Sequence, residues 1–548
     1  MNSLTDKTMK KLSYILHVVA FAIVATSCEQ ELVDNSASPC PSDDPSIICP
    51  EAPDPACPAG ATAGDVSFSK FIALGTSYTA GFQAGALFTQ GQDNSLAAIL
   101  ADRFACVGGG AFNQPNINSP NGFNIFISPN PQGNNVFGRF RLQGSPPQPA
   151  PLASGMEAIP NPQVNPGFMY TGSAGAVGVN QLNNFSVPAI FMGQAFIPQT
   201  GDWTLAGLDP RFSPFYGRFA SAPGTSTLLA DAASSIANGG TFVLVWMGMD
   251  DAILYAAYGG DAKVAPLTTV DDFKTQYGGL IGTIFVQTST TAKGVVANFP
   301  NPFVMPHFTS VPWNPIPIDA NTAAALTANI ADNYNAFLDA MVAAEVIDED
   351  EAALRKLTFT AGQNAILMKD ENLTDLSPYM AGPAAGLKPY ALARQAKSTD
   401  IIPLSTGAIL GQEIGPNQVL GVSVPVDDRY VIVPQERDSV LTHLTEFNAY
   451  IKTLAESPTY SSRLAFADVS AAFNSLVTAT AGISDGLTYT PNINPPTGIY
   501  SEDGLHPNSR GYAFIANIFI DAINAKFGGS VPKAKLTKYS ATGLPINP

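Results

Sequence analysis

Phe71-Ile72-Ala73-Leu74-Gly75-Thr76-Ser77-Tyr78-Thr79-Ala80-Gly81-Phe82 opens with a short apolar run, stops at a glycine and places a serine one residue beyond it. The residues that follow can start a helix. The pattern predicts a strand, a tight turn and a helix, with a hydroxyl at the bend. A serine in that place projects from the end of a sheet, and the helix start behind it favours developing negative charge. Most Gly-x-Ser turns are only turns, so the stretch gains meaning from what lies downstream.

Outward from it, apolar runs at 183–189, 241–247, 294–298 and 464–469 have the continuous hydrophobicity of buried parallel strands. Helical periodicity marks 95–104, 226–238, 270–291, 321–346, 439–456 and 512–527. The alternation predicts an α/β fold with a mainly parallel sheet. Two tracts fall outside it. Residues 107–180 are rich in Gly, Asn, Pro and Ser and look like a loop insertion. Residues 357–433 show no organising period. The densest charge cluster, 345–356, is expected to be a solvated helix face.

The chain has four histidines. His17 lies in an N-terminal apolar segment, His443 in a helical stretch and His307 in an apolar loop. Only His506, in Asp503-Gly504-Leu505-His506-Pro507-Asn508, has a carboxylate placed to orient it. Pro507 holds His506 extended and suits the first turn of the helix that follows. A serine hydroxyl becomes a nucleophile when a base takes its proton, and an aspartate fixes the imidazole tautomer. Ser77, His506 and Asp503 can fill those roles. The Gly-x-Ser-x-Gly motif of α/β-hydrolases is absent, because position 79 is Thr.

In these motifs the chain resembles the SGNH, or GDSL, family of serine hydrolases. Residues 73–81 resemble its first block, with Thr76 where aspartate is usual, and Asp503 to Pro507 matches its last block, Asp-x-x-His-Pro. Asn184 to Ala189 resembles the second block and Gly248-Met249-Asp250-Asp251 the third, Gly-x-Asn-Asp. The resemblance implies a three-layer α/β/α sandwich of the flavodoxin-like kind, with catalytic residues at the carboxyl ends of the strands. It implies Ser77 as nucleophile, His506 as general base and Asp503 as its orienting partner. The oxyanion hole would be formed by the Ser77 and Ala189 amides and the side chain at 250. That side chain is Asp250 where the family has asparagine. An ionised aspartate accepts and cannot donate, and losing one such donor typically costs about a hundredfold to a thousandfold in rate. Protonation, favoured by burial beside Asp251, would restore a donor.

The expected function is therefore an exported ester hydrolase cleaving acyl or acetyl esters of a small molecule or polymer. The alternatives are a cell-surface binding protein with weak or no catalysis on the same scaffold, and an acyltransferase. No cofactor and no metal is expected. A net charge of -17 over 548 residues, with no basic stripe, excludes nucleic acid as a partner.

The N-terminus predicts the address. Lys7, Lys10 and Lys11 precede an apolar run at 12–24, then Ala25-Thr26-Ser27 and Cys28. This is the layout of a signal peptide, 1–27. It is similar to a bacterial lipobox, which implies lipidation of Cys28 and anchoring to the outer membrane, and Glu29, Glu31 and Asp34 are similar to signals that send some lipoproteins to the outer cell surface; plain secretion is the alternative. Residues 28–66 read as a tether, and 67–548 as the hydrolase-like domain, with insertions at about 107–180 and 300–460. Beyond Cys28, Cys40, Cys49, Cys57 and Cys106 allow two disulfides in three connectivities, and their spacing lacks the Cys-x-x-Cys of a zinc site.

Overall fold

The computed structural model describes residues 57–124, 136–143, 148–154, 158–163, 165–171 and 175–542. The predicted signal segment, Cys28, Cys40 and Cys49 lie outside them. The apolar runs form five strands: β1 (Phe71–Gly75), β2 (Asn184–Ser186), β3 (Phe242–Trp246), β4 (Lys293–Ala297) and β5 (Leu464–Ala467). Every residue of β1 and β3 is buried, which is why these strands read as unbroken hydrophobic runs. They pair in parallel in the order β5-β4-β3-β1-β2.

Helices cover both faces. On one, Phe71 and Phe242 meet Phe104 and Phe527 with ring centroids 5.0 and 6.1 Å apart, and Trp246 meets Phe519 at 5.4 Å. These partners come from helices Leu96–Ala105 and Ser509–Phe527. On the other face, the alternate side chain Ile72 lies against Gly240, just past helix Leu228–Ala237. Helix Val270–Gly282, continued as a π-helix through Thr288, carries Phe273, which stacks on Phe447 at 3.8 Å. The architecture is mixed α/β with a five-stranded parallel sheet. Among the described residues no helix is long and apolar enough to cross a membrane.

The register aligns the strand ends, with Gly75 opposite both Ser186 and Trp246. Chain order reverses between β1 and β3. In open α/β sheets, ligands bind outside the carboxyl ends of the strands at such a switch point. Gly75 allows the close approach there, since a Cβ on it would lie 2.7 Å from the Trp246 carbonyl oxygen and 2.4 Å from Thr79 Oγ1. Gly75→Ala is expected to cost about 1–3 kcal/mol by overpacking. Urea unfolding monitored by tryptophan fluorescence measures it, and an unchanged midpoint would contradict this reading of the turn.

Some details differ from the sequence reading. Asn508 caps the last helix, which begins at Ser509; Pro507 precedes it and bridges to Tyr500. The tract at 107–180, expected to be irregular, contains an antiparallel hairpin, Phe137–Gln143 with Gln148–Ala153. Cys57 is bonded to Cys106, at the end of helix Leu96–Ala105.

The described chain divides into two compact units. One holds the sheet. The other comprises residues 255–266 and 307–440 and has its own apolar core around Tyr334, Leu338, Ile366, Met368 and Val433. Its strands are two or three residues long, paired antiparallel. The charge cluster at 345–356 is not simply a solvated face. It holds helix Glu349–Arg355, and Arg355 is 0% exposed, its guanidinium bound by the Ala391 and Thr374 carbonyls and the Glu351 carboxylate. Arg394 is likewise buried between Asp370 and Asp400, 2.6 Å from each.

Candidate active site

Four segments converge at the carboxyl edge of the sheet. From the end of β1, Ser77 opens a one-turn helix, Ser77–Ala80, closed by Gly81 in the left-handed region at φ 82°. The segment after β2 brings the Ala189 N–H to 3.1 Å from Ser77 Oγ. Ala189 itself has φ 53°, a left-handed angle that alanine adopts at a cost and glycine freely. After β3, Asp250 begins helix Asp250–Ala257, and the Ser77 hydroxyl faces its Oδ2 at 3.5 Å, long for an O–H···O bond. The fourth segment, Ser501 to Pro507, carries Asp503 and His506.

The Asp503–His506 pair is tightly built. Asp503 Oδ2 lies 2.9 Å from His506 Nδ1 and also accepts the Gly85 N–H at 2.8 Å. Its Oδ1 accepts the backbone N–H groups of Leu505 (2.9 Å) and His506 (2.8 Å) and the Ser501 hydroxyl (3.1 Å). Burial pushes this carboxyl up, but the His506 ring and the hydrogen bonds from His506 and Leu505 outweigh it and bring it down to about 2. Asp503 is thus an anion fixed by donors, and the imidazole proton is held on Nδ1. The ring packs against Tyr78 and Phe82, with centroids 5.6 and 4.9 Å away. Tyr78 is anchored in turn by its hydroxyl on the Leu505 carbonyl at 2.6 Å.

Asp250 and Asp251 are both buried, with separate tasks. Asp251 accepts the Met192 N–H at 2.8 Å and the Thr268 hydroxyl at 2.7 Å, which ties down the segment that carries Ala189. Asp250 faces the serine. Burial pushes its carboxyl up to about 6, and the His506 ring, the Thr76 and Ser77 hydroxyls and the Ser77 N–H hold it from rising further. No family model, curated protein or solved structure matches this chain. The geometry of the site must therefore carry the functional argument unaided.

All five residues singled out in the sequence, Ser77, Ala189, Asp250, Asp503 and His506, are brought to one edge of one unit. The serine's contacts run to Asp250 and Ala189; no hydrogen bond joins it to His506. Two expected oxyanion donors are engaged, the Ser77 N–H toward Asp250 and the Ala189 N–H on Ser77 Oγ. Sequence reading missed Thr76 as an Asp250 partner, Gly85 and Ser501 as Asp503 partners, and the Tyr78–Phe82 clamp. Only the closeness of Tyr78 and Phe82 to Ser77 in the chain gave a hint. Phe123 and Phe215 stack on each other at 5.0 Å and are buried, and Trp203 packs on Phe212.

Proposed function

We propose that the chain is a serine ester hydrolase of the SGNH type, acting outside the cytoplasm from a lipid anchor at Cys28. The observation that carries the chemistry is the Asp503–His506 pair at 2.9 Å, set on the same sheet edge as Ser77 and the Ala189 N–H. The strand order 2-1-3-4-5, with its switch point beside Ser77, supports the flavodoxin-like fold this reading requires. In the reaction, Ser77 Oγ attacks the ester carbonyl and His506 takes its proton. The imidazolium, steadied by Asp503, returns that proton to the leaving alcohol. Water then repeats the sequence on the acyl-serine. As the carbonyl oxygen gains charge, the Ala189 and Ser77 N–H groups turn from their present acceptors to it. The test is fluorophosphonate labelling of the purified protein, read by peptide mass spectrometry. Ser77 should carry the label, and an unlabelled Ser77 in folded protein would sink the mechanism. A mass spectrum of the mature N-terminus tests the anchor.

The second reading, a binding protein with little turnover, draws on Asp250. As an anion it repels the charge that the oxyanion develops. Protonated, it donates much as asparagine would. Its folded-state value of about 6 lies above the ordinary 3.8, so the folded chain binds the extra proton between those values. The stability Asp250 contributes is accordingly present at low pH and is lost as pH rises through about 6. For the hydrolase, activity is expected to fall above about pH 6 in the wild type, while Asp250→Asn keeps its rate, by about a hundredfold or more where Asp250 is ionised. Rate profiles of both proteins decide this. An Asp250→Asn enzyme slower at every pH would show that the carboxylate itself is needed.

A further inference from the structure

We infer that Glu371, Asp428 and Glu436 form a binding site for a divalent cation of the calcium type in the unit of residues 255–266 and 307–440. Glu371 follows strand Leu367–Lys369, Asp428 starts the short helix Asp428–Tyr430, and Glu436 lies in the first turn of helix Pro434–Glu456. One carboxylate oxygen from each lies within 4.8 Å of the others. Oxygens at 2.3–2.6 Å from Ca2+ span up to about 5 Å across the ion, so the three carboxylates reach one ion with shifts of at most roughly a few tenths of an ångström.

The independent sign of a ligand is what the two inner carboxylates lack. Glu436 is only 5% exposed; its Oε2 accepts the Val433 N–H at 2.8 Å, but the buried Oε1 has no hydrogen-bond partner. The Asp428 oxygens are also buried, and the one donor that faces them is the Glu371 backbone N–H. Leaving such atoms unsatisfied costs free energy that a bound cation recovers. Two bases of this unit are committed elsewhere. Arg394 is held by Asp370 and Asp400, and Lys369 by Asp427 at 2.5 Å.

The backbone also closes on the cluster. Gly260, at φ 82°, sits where a Cβ would lie 2.1 Å from Glu436 Oε1, so only glycine leaves this oxygen its place. The donor set is all oxygen, which selects a hard cation, and Glu371 is exposed, which leaves one side open to water. Ca2+ accepts such an irregular shell of protein and water oxygens; Mg2+ demands a near-ideal octahedron and sheds its own water reluctantly. The ion would tie the segment after strand Leu367–Lys369 to the stretch of chain that carries both Asp428 and Glu436. Its role there is structural, independent of the ester chemistry.

The test uses the full chain, freed of metal by chelator and dialysis. Calcium is added in a calorimeter, and Tb3+ is titrated with excitation through tyrosine, since the Tyr255 phenol lies within electrostatic reach of all three acids. One Ca2+ per chain, a raised Tm and tyrosine-sensitised Tb3+ emission are expected. Glu436→Gln should weaken binding at least ~10-fold, the lower end of what losing even an outer-shell partner costs a metal site. The exposed Glu371→Gln should also weaken binding, and guards against misfolding of the buried variant. Absence of calcium heat and Tb3+ emission in the wild type overturns the site. So does binding that survives Glu371→Gln, Asp428→Asn and Glu436→Gln together, or a Glu436→Gln protein whose Tm rises while the wild type ignores calcium, since the acids would then be sharing protons.

Discussion

Ser77→Ala is expected to lower hydrolysis of short-chain p-nitrophenyl esters by about ten-thousand-fold or more, the scale on which serine hydrolases lose turnover without their nucleophile. The substitution removes one oxygen. In the folded state that oxygen accepts one hydrogen bond, from Ala189 at 3.1 Å, and makes one long contact to Asp250 at 3.5 Å. Stability should therefore fall by only about 1 kcal/mol, the net worth of one such bond. Rate and unfolding midpoint measured on one preparation separate chemical loss from structural loss. A variant that hydrolyses esters as fast as the wild type would move the reaction to another residue.

Asp503→Asn should cost about ten-thousand-fold in turnover through a different route. The amide oxygen can still accept from Leu505 and His506, while the new NH2 group meets Nδ1 and the Gly85 N–H, both served by Oδ2 now. Donation to Nδ1 moves the ring proton to Nε2, and the base is lost. The variant should also be less stable. The folded Asp503 carboxyl is depressed to about 2 from 3.8, so its contribution is present above about pH 4 and is lost as pH falls toward 2. At neutral pH this amounts to roughly 2–3 kcal/mol, at about 1.4 kcal/mol per unit. Unfolding free energies of the two proteins should therefore converge in acid. A gap that stays constant down to pH 2 would show that Asp503 acts by packing and not by charge.

The parts of this molecule legible in the sequence are those in which one local rule dominates. Strands β1, β3 and β4 are buried on both faces, so their sequences are plain apolar runs. Ser95 announces its helix because its side chain caps the Ala98 N–H. Asp503 and His506 were readable because three residues and a proline fix their approach without help from the rest of the chain. Of the unit spanning 307–440, the helical stretch at 321–346 was readable and the rest was not. Its strands are too short to show a period, and its buried charges, Arg355 and Arg394, are satisfied by carbonyls and acids from distant segments. The role of Asp250 was half legible. Its departure from asparagine stands in the sequence, but its contacts with Thr76 and Ser77 exist only after folding. Glu371, Asp428 and Glu436 carry no spacing signal, because Glu371 comes from a segment remote in the chain from the stretch that supplies the other two.

The bond between Cys57 and Cys106 closes a loop that contains β1 and Ser77. A pull on the chain ahead of Cys57 is shared between the backbone leading to β1 and the sulfur bridge to the end of helix Leu96–Ala105. The Ser77 turn thus lies inside a loop whose two ends the bridge joins. If the chain is tethered through its N-terminus, a helix end shares the drag on the tether with the segment that leads to Ser77, for as long as the bridge is oxidised.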